Sequence, residues 1–182
     1  KLQESLPYFK EGEKSVENSI QGKSKYWSAE TNYRLGNYQT ALDEFINFKK
    51  TTKRDVEEYS QVDYNIGYSY FKLKEYSNAA KSFQNFIKTD NEDMTMNDDA
   101  TIRTGDSFFA IREYTKAIKA YEKVVDAYGT SADYAQYQMA MSYGFLKKND
   151  DKITQLESLL TNFELSNFRD DALFQLASTY TS

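Results

Sequence analysis

A period of 38 residues organises the sequence and restricts it to repeat architectures. Gly67 and Gly105 are 38 residues apart, and so are Tyr76 and Tyr114. The same order of residue types begins five times along the chain. Each start carries a small residue, at Ala29, Gly67, Gly105, Ala140 and Ala177. A fixed period of this length indicates supersecondary units that each bury an apolar face against their neighbours.

Apolar residues within each repeat follow the period of an α-helix. Ala79, Phe83 and Phe86 fall at i, i+4 and i+7, which places them on one face of a helix. Gly67 lies in the preceding predicted helix, where glycine costs about 0.5–1 kcal/mol relative to alanine. We expect close packing of two antiparallel helices, with Gly67 facing Ala79, to offset that cost.

The pattern predicts an all-α fold of antiparallel helix hairpins. Predicted helix pairs are 23–34 with 38–50, 57–73 with 76–88, 98–110 with 114–127, and 132–146 with 150–163, with a last helix from about 168. We expect one solenoid domain over 1–182. It would contain a partial repeat at 1–22, repeats at 23–55, 56–93, 94–130 and 131–166, and the start of a further repeat at 167–182. Because the sequence begins with Lys1 rather than methionine, we expect it to be a fragment of a longer chain.

Composition argues against several kinds of chemistry. The 182 residues include no cysteine and no histidine, which removes disulfides, zinc fingers, iron–sulfur ligation and Ser-His-Asp triads. A formal charge of −5 argues against a nucleic-acid groove or an anionic membrane surface. No apolar stretch approaches the roughly 18 residues of a membrane span. We therefore expect no enzymatic activity, no cofactor, no metal site, no nucleic-acid partner and no direct membrane insertion.

One acidic segment invites comparison with a calcium-binding loop. It contains Asp90, Glu92, Asp93, Asp98 and Asp99. The segment lacks the alternating acidic spacing, the glycine and the distal glutamate of an EF-hand. We expect instead that Asp98 and Asp99 lie at the N-terminal end of the next helix, where the helix dipole favours negative charge.

The repeats resemble the tetratricopeptide repeat, a helix hairpin with spaced aromatic and small residues in its first helix and alanine and aromatic anchors in its second. The matching residues are Ile66, Gly67, Tyr70, Tyr76, Ala79 and Phe83, and then Gly105, Phe108, Tyr114, Ala117 and Tyr121. This resemblance implies a right-handed superhelical solenoid. The chain departs from the pattern in its longer period, in the missing proline after the second helix, and in Lys152, where alanine is usual.

A narrower resemblance lies near the C-terminus. Residues Ser166–Ala177 are similar to the link and helix of bacterial cell-envelope repeat proteins, including outer-membrane assembly lipoproteins and Tol-Pal-associated proteins. This resemblance implies a bacterial protein of the periplasm or cell envelope rather than the cytoplasm. A general cytosolic adaptor stays open as the alternative.

The family resemblance also implies a partner-binding groove lined by the first helix of each repeat. The groove-facing positions correspond here to Tyr26, Tyr33, Arg34, Tyr64, Tyr68, Phe71, Lys72, Ile102, Asp106, Phe109, Tyr134, Tyr137, Met141 and Phe145. Aromatic side chains offer large contact areas, and tyrosine adds a hydrogen-bonding tip. We therefore expect a non-catalytic protein–protein interaction scaffold that holds a peptide or partner protein in a tyrosine-rich concave groove.

Other interpretations of the tyrosines stay open. The groove would bind a glycan or envelope polymer if its rings stack on sugars. The chain would be a purely architectural spacer within a larger protein if the tyrosines only pack between repeats. Exposed first and last helices also lead us to expect end-to-end self-association of the fragment.

Overall fold

The computed structural model describes residues 1–89 and 93–181, and most of them are helical. The described residues form ten α-helices: α1 Leu2–Gly12, α2 Asn18–Arg34, α3 Tyr38–Thr51, α4 Val62–Lys72, α5 Tyr76–Ile87, α6 Met94–Ala110, α7 Tyr114–Asp126, α8 Ala132–Phe145, α9 Asn149–Asn162 and α10 Arg169–Tyr180. A short 3-10 helix at Glu57–Gln61 precedes α4. No β-strand occurs in these two ranges, so the predicted all-α fold is confirmed.

The chain divides into two compact units, Lys1–Asn91 and Glu92–Ser182. In unit 1, α1 packs on α2, α2 on α3, α3 on α4 and α4 on α5. In unit 2, α6 packs on α7, α7 on α8, α8 on α9 and α9 on α10. Each unit is therefore a run of helical hairpins in which neighbours in sequence are neighbours in space.

The predicted helix pairs agree with the structure except at three starting points. Helix α2 begins at Asn18 rather than at residue 23, and the side chain of Gln21 donates to the carbonyl of Glu13 to fasten this earlier turn (3.1 Å). Residues Glu57–Gln61 form a 3-10 turn before α4 instead of its first α-helical turns. Helix α6 begins at Met94 rather than at residue 98, because its N-terminus is capped further upstream.

The cap of α6 corrects the expectation for the acidic segment. The carboxylate of Asp93 accepts a hydrogen bond from the backbone N–H of Met96 (3.0 Å) and so starts the helix. Asp98 and Asp99 therefore lie inside α6 and not at its N-terminal end, so that expectation was wrong. Asp98 instead accepts from the backbone N–H of Thr130 (2.6 Å). The other two acidic residues of the segment, 90 and 92, lie outside the described residues.

Small residues allow large core side chains to pack against the first helix of two hairpins, and the nearest neighbour of Gly67 is Phe83 rather than the predicted Ala79. A Cβ atom on Gly67 would lie 2.8 Å from the ring of Phe83, and one on Gly105 would lie 2.5 Å from the ring of Tyr121. Both rings are fully buried. The glycines therefore provide the space that the largest core side chains of the two hairpins occupy.

The hairpin turns share one backbone conformation. The turn residues Gly36, Lys74, Arg112 and Lys147 all have positive φ, between 59° and 83°. At the second of these turns, the N–H groups of Lys74 and Glu75 donate to carbonyls in the last turn of α4 (3.0 and 2.9 Å). These hydrogen bonds satisfy carbonyl groups at the helix end that have no partner within the helix. The residue with positive φ in such a turn is usually glycine. Three of the four turns use a basic residue instead.

Candidate functional site

A cleft of about 210 Å³ in unit 1 lies between the first helices of successive hairpins, α2 and α4. Its lining consists of Glu30 and Tyr33 from α2 and Tyr64, Asn65 and Tyr68 from α4. All five side chains are half-buried. We call this feature the tyrosine cleft, because three tyrosine rings form most of its walls.

Packing holds the rings of the tyrosine cleft in place. Tyr64 and Tyr68 meet edge to face with ring centroids 4.9 Å apart. Tyr68 also packs edge to face on Phe83 (5.2 Å), and Tyr33 packs on Tyr38 (5.3 Å). Since these rings are already ordered, a ligand that bound them would lose little of its binding free energy to ordering side chains.

Polar groups at the cleft are joined to one another. The Asn65 amide donates to the hydroxyl of Tyr26 (2.8 Å) and, at 3.5 Å, to the carboxylate of Glu30. Arg34 pairs with the other oxygen of Glu30 (2.7 Å). Burial raises the pKa of Tyr33 to about 12, so its hydroxyl stays protonated at neutral pH. The cleft therefore combines ring faces with hydrogen-bonding groups of both kinds.

The corresponding region of unit 2 is more polar than the tyrosine cleft. A cleft of about 480 Å³ lies between α6 and α8, and Arg103, Asp133 and Tyr134 are among its lining residues. Beside it, the carboxylate of Asp106 accepts hydrogen bonds from the hydroxyls of Tyr121 (2.8 Å) and Tyr134 (2.9 Å). Arg103 donates to its second oxygen (2.6 Å). Asp106 is therefore satisfied within the protein.

Burial is the main cause of the pKa shifts of Asp106 and of its two tyrosine partners. Burial raises the pKa of this carboxyl, and the hydroxyl donors and Arg103 oppose that shift. Burial and the nearby Asp106 carboxylate raise the pKa of Tyr121 and Tyr134, so both hydroxyls remain donors at neutral pH. The four groups form a structural network rather than an open binding site.

The structure brings together only part of the predicted groove. Tyr33, Tyr64 and Tyr68 meet in the tyrosine cleft. The side chains of Tyr26 and Ile102 are only 4% and 3% exposed, because they pack in the cores of their units. Tyr26 therefore offers almost no contact surface, and Ile102 offers only the small part that lines the cleft between α6 and α8.

The remaining predicted residues are spread over the two units. Arg34 and Lys72 are exposed near the ends of α2 and α4. Phe71 packs on Tyr76 at the hairpin turn (5.3 Å), and Tyr137 stacks on Phe168 (5.4 Å). In unit 2, Phe109 contacts Phe145 (5.5 Å), which lines a further cleft together with Met141.

Sequence reasoning missed two residues of the tyrosine cleft, Glu30 and Asn65. The repeat period could have identified Glu30, because it occupies the same repeat position as Tyr68 and Asp106, which were both predicted groove residues. Successive members of this series are 38 residues apart. Asn65 carried no such signal, because its role depends on the hydroxyl of Tyr26 in another helix.

Neither a metal site nor a membrane span is found in the described parts of the chain. Residues 1–89 and 93–181 contain no group of three or more acidic side chains placed to hold a metal ion. None of the helices in those ranges is long and apolar enough to cross a membrane.

Two family models, both described as tetratricopeptide repeat, match residues 64–132 and 134–166. Together the matches cover more than half of the sequence, so the chain belongs to the tetratricopeptide-repeat family. No curated protein sequence matches it significantly. The narrower resemblance to cell-envelope proteins finds no support in these matches and stays a prediction.

Solved structures with a similar fold include MamA (41-end) from Desulfovibrio magneticus RS-1. That structure is 17% identical, with a TM-score of 0.72 over 91% of this chain and 88% of its own. The C-terminal part of a TPR repeat-containing protein from Cytophaga hutchinsonii is 18% identical, with a TM-score of 0.76 over 98% of this chain and 65% of its own. The TPR-like repeats of a putative kinesin light chain from Podosopora anserina are 13% identical, with a TM-score of 0.69 over 88% of this chain and 86% of their own. At these identities the likeness establishes the fold alone.

Proposed function

We propose that the protein is a non-catalytic interaction scaffold that holds a peptide or partner-protein segment in the tyrosine cleft of unit 1. One observation carries the proposal: Tyr33, Tyr64 and Tyr68, from two successive first helices, line a single cleft. Tetratricopeptide repeats as a class support protein binding, although the same scaffold serves many processes.

The size and chemistry of the cleft favour a peptide side chain as its occupant. Sites for small molecules and cofactors usually enclose about 300–1,000 Å³, whereas this cleft encloses about 210 Å³. That volume suits one or two side chains of a longer segment. Ordered tyrosine rings provide apolar contact area, and their hydroxyls together with Glu30 provide polar contacts for a peptide backbone.

A random-peptide display library selected on the protein tests this proposal. The binding of recovered peptides would be measured by fluorescence anisotropy for the native protein and for the Tyr64→Ala/Tyr68→Ala variant. We expect binding to weaken by about tenfold or more, because buried tyrosines at a contact centre dominate affinity. Tyr8→Ala is the matched control, since that tyrosine is 80% exposed and lies outside the cleft.

A second variant, Tyr33→Ala, distinguishes loss of binding from loss of the fold. Tyr64 and Tyr68 pack on the buried rings of Phe86 and Phe83, so thermal unfolding of the double variant must be measured as well. Tyr33→Ala removes the third cleft ring and leaves those packing contacts intact. Recovered peptides that bind both variants as tightly as the native protein would contradict the proposal. A glycan array whose signal depends on the same tyrosines would favour the glycan alternative instead.

A further inference from the structure

Lys152 on α9 interrupts the repeat pattern at a position that is otherwise buried alanine. Like Lys152, the residues Ala41, Ala79 and Ala117 of the three preceding hairpins each lie five residues after a turn residue with positive φ, and all three alanines are fully buried. A lysine is much larger than alanine, and its charge is costly to bury. Its presence in the fourth hairpin therefore calls for a structural explanation.

The structure shows how this lysine is accommodated. Its aliphatic stem passes over Gly144, where an added Cβ would lie 3.2 Å from the Cδ atom of Lys152. Its ammonium group donates to the side-chain oxygen of Gln175 on α10 (2.9 Å). Within residues 1–89 and 93–181, no carboxylate forms an ion pair with Lys152, although Asp150 and Asp151 lie on the same helix. Partial burial lowers the pKa of this ammonium group.

Lys152 lines a cleft of about 350 Å³ between α8, α9 and α10, which we call the lysine cleft. Met141 and Phe145 form an apolar side of this cleft, and Gln175 and Thr179 contribute polar groups. Phe145 is 60% exposed. The exposed ring of Phe145 therefore lies beside a lysine ammonium group that has no carboxylate partner among the described residues.

The turns next to the lysine cleft add positive charge. Lys147 and Lys148 are exposed in the turn after α8, and Arg112 is exposed in the turn after α6. Phe145 connects these turns, because it stacks on Tyr114 with ring centroids 4.9 Å apart. None of the three basic side chains forms an ion pair with any described residue. The stretch from Lys147 to Lys152 carries three lysines against two aspartates, so it has a small net positive charge although the chain as a whole carries a charge of −5.

We propose that the lysine cleft binds an acidic segment of a partner protein in which a glutamate or aspartate stands next to an apolar residue. The carboxylate would accept hydrogen bonds from Lys152 and Gln175, and the apolar side chain would pack on Phe145 and Met141. The proposal goes beyond the tyrosine cleft, since the lysine cleft lies in unit 2 and selects its ligand by charge. A protein segment fits better than an anionic membrane, because Lys152 lines a cleft between three helices that a single side chain can enter and a flat membrane surface cannot.

The probe for this proposal is a fluorescein-labelled peptide of alternating glutamate and leucine with an amidated C-terminus. We expect fluorescence anisotropy to show binding that weakens as salt is raised, since charged contacts at a rim are screened. Lys152→Ala introduces the residue that the other three hairpins carry, so the fold should be retained. We expect this variant to bind about tenfold more weakly, and Lys123→Ala, an exposed lysine on α7, to bind like the native protein.

Three results would overturn the proposal. The first is unchanged binding to Lys152→Ala and to Lys152→Met, which keeps the aliphatic stem without the charge. The second is equal binding of a glutamine–leucine peptide, which would leave no role for the carboxylate. The third is binding to phosphatidylserine vesicles without binding to the acidic peptide. The Tyr64→Ala/Tyr68→Ala variant should bind the acidic peptide normally, so failure of this proposal is distinguishable from failure at the tyrosine cleft.

Discussion

The hairpins α4–α5 and α6–α7 use the same backbone arrangement with different side-chain chemistry. Tyr68 and Asp106 occupy the same repeat position, and so do Phe83 and Tyr121, since each pair is 38 residues apart. In the first hairpin, Tyr68 packs edge to face on Phe83 (5.2 Å). In the second, Asp106 accepts a hydrogen bond from the hydroxyl of Tyr121 (2.8 Å).

The difference shows that the two positions work as a pair. A buried tyrosine hydroxyl without an acceptor costs about 1–3 kcal/mol, so a phenylalanine can become a tyrosine only where an acceptor is available. Asp106 provides that acceptor in the second hairpin. Its carboxylate is then occupied within the protein, whereas Tyr68 still lines a cleft that a ligand can reach. At this repeat position the same scaffold thus yields a candidate binding cleft in unit 1 and a structural network in unit 2.

The largest expected effect comes from removing the carboxylate of Asp106. The Asp106→Ala variant should lose about 2–4 kcal/mol of unfolding free energy, because it leaves two tyrosine hydroxyls and Arg103 without their shared acceptor. Urea unfolding followed by circular dichroism measures this loss. Asp126→Ala, at an exposed aspartate, should change stability by less than about 0.5 kcal/mol.

Substituting both positions tests the pairing itself. The double variant Asp106→Tyr/Tyr121→Phe gives α6–α7 the residues of α4–α5. We expect the double variant to lose less unfolding free energy than the sum of the losses in Asp106→Tyr and Tyr121→Phe. The difference should be at least about 0.5 kcal/mol. Strictly additive losses would show that the two positions are independent.

A smaller loss is expected from Gly105→Ala. The added Cβ would lie 2.5 Å from the ring of Tyr121, and relieving that overlap should cost more than alanine gains in helix propensity. The expected net loss is about 1–2 kcal/mol in the free energy of unfolding. Gly67→Ala should lose somewhat less, since its Cβ would lie 2.8 Å from Phe83.

Gly144→Ala serves as the control for the two glycine variants. Its nearest neighbour would be the flexible stem of Lys152 at 3.2 Å, which can move aside. We expect its stability to be unchanged or slightly higher. A loss as large as that of Gly105→Ala would show that close ring packing is not the cause.

The smallest expected effect is a gain at the hairpin turns. Lys74→Gly and Arg112→Gly should each stabilise the protein by up to about 1 kcal/mol, because glycine adopts positive φ without the strain of a side chain. The gains should be equal, since the two turns have φ of 62° and 63°. Thermal unfolding of both variants measures them, and a gain at only one turn would show that the turns differ in more than backbone conformation.

The amino-acid sequence by itself determined the helices and the hairpins. The period that links Gly67 to Gly105 and Tyr76 to Tyr114 can be measured directly from the positions of residues in the sequence. The spacing of apolar residues within one helix also determines which of its faces packs against a neighbour. The three tyrosines of the tyrosine cleft were predicted from the resemblance to the tetratricopeptide repeat and not from the spacing itself.

Only the tertiary structure decided which polar and aromatic groups have partners. It buried Tyr26, engaged Asp106 with Tyr134 on a later helix, and brought Lys152 to Gln175. Each of these contacts joins residues on different helices, and no local spacing specifies them. Hydrogen bonds require atoms to meet within a few tenths of an ångström, whereas a hydrophobic stripe tolerates much larger shifts. For that reason the fold follows from the pattern, and the chemistry of each cleft follows from the packing.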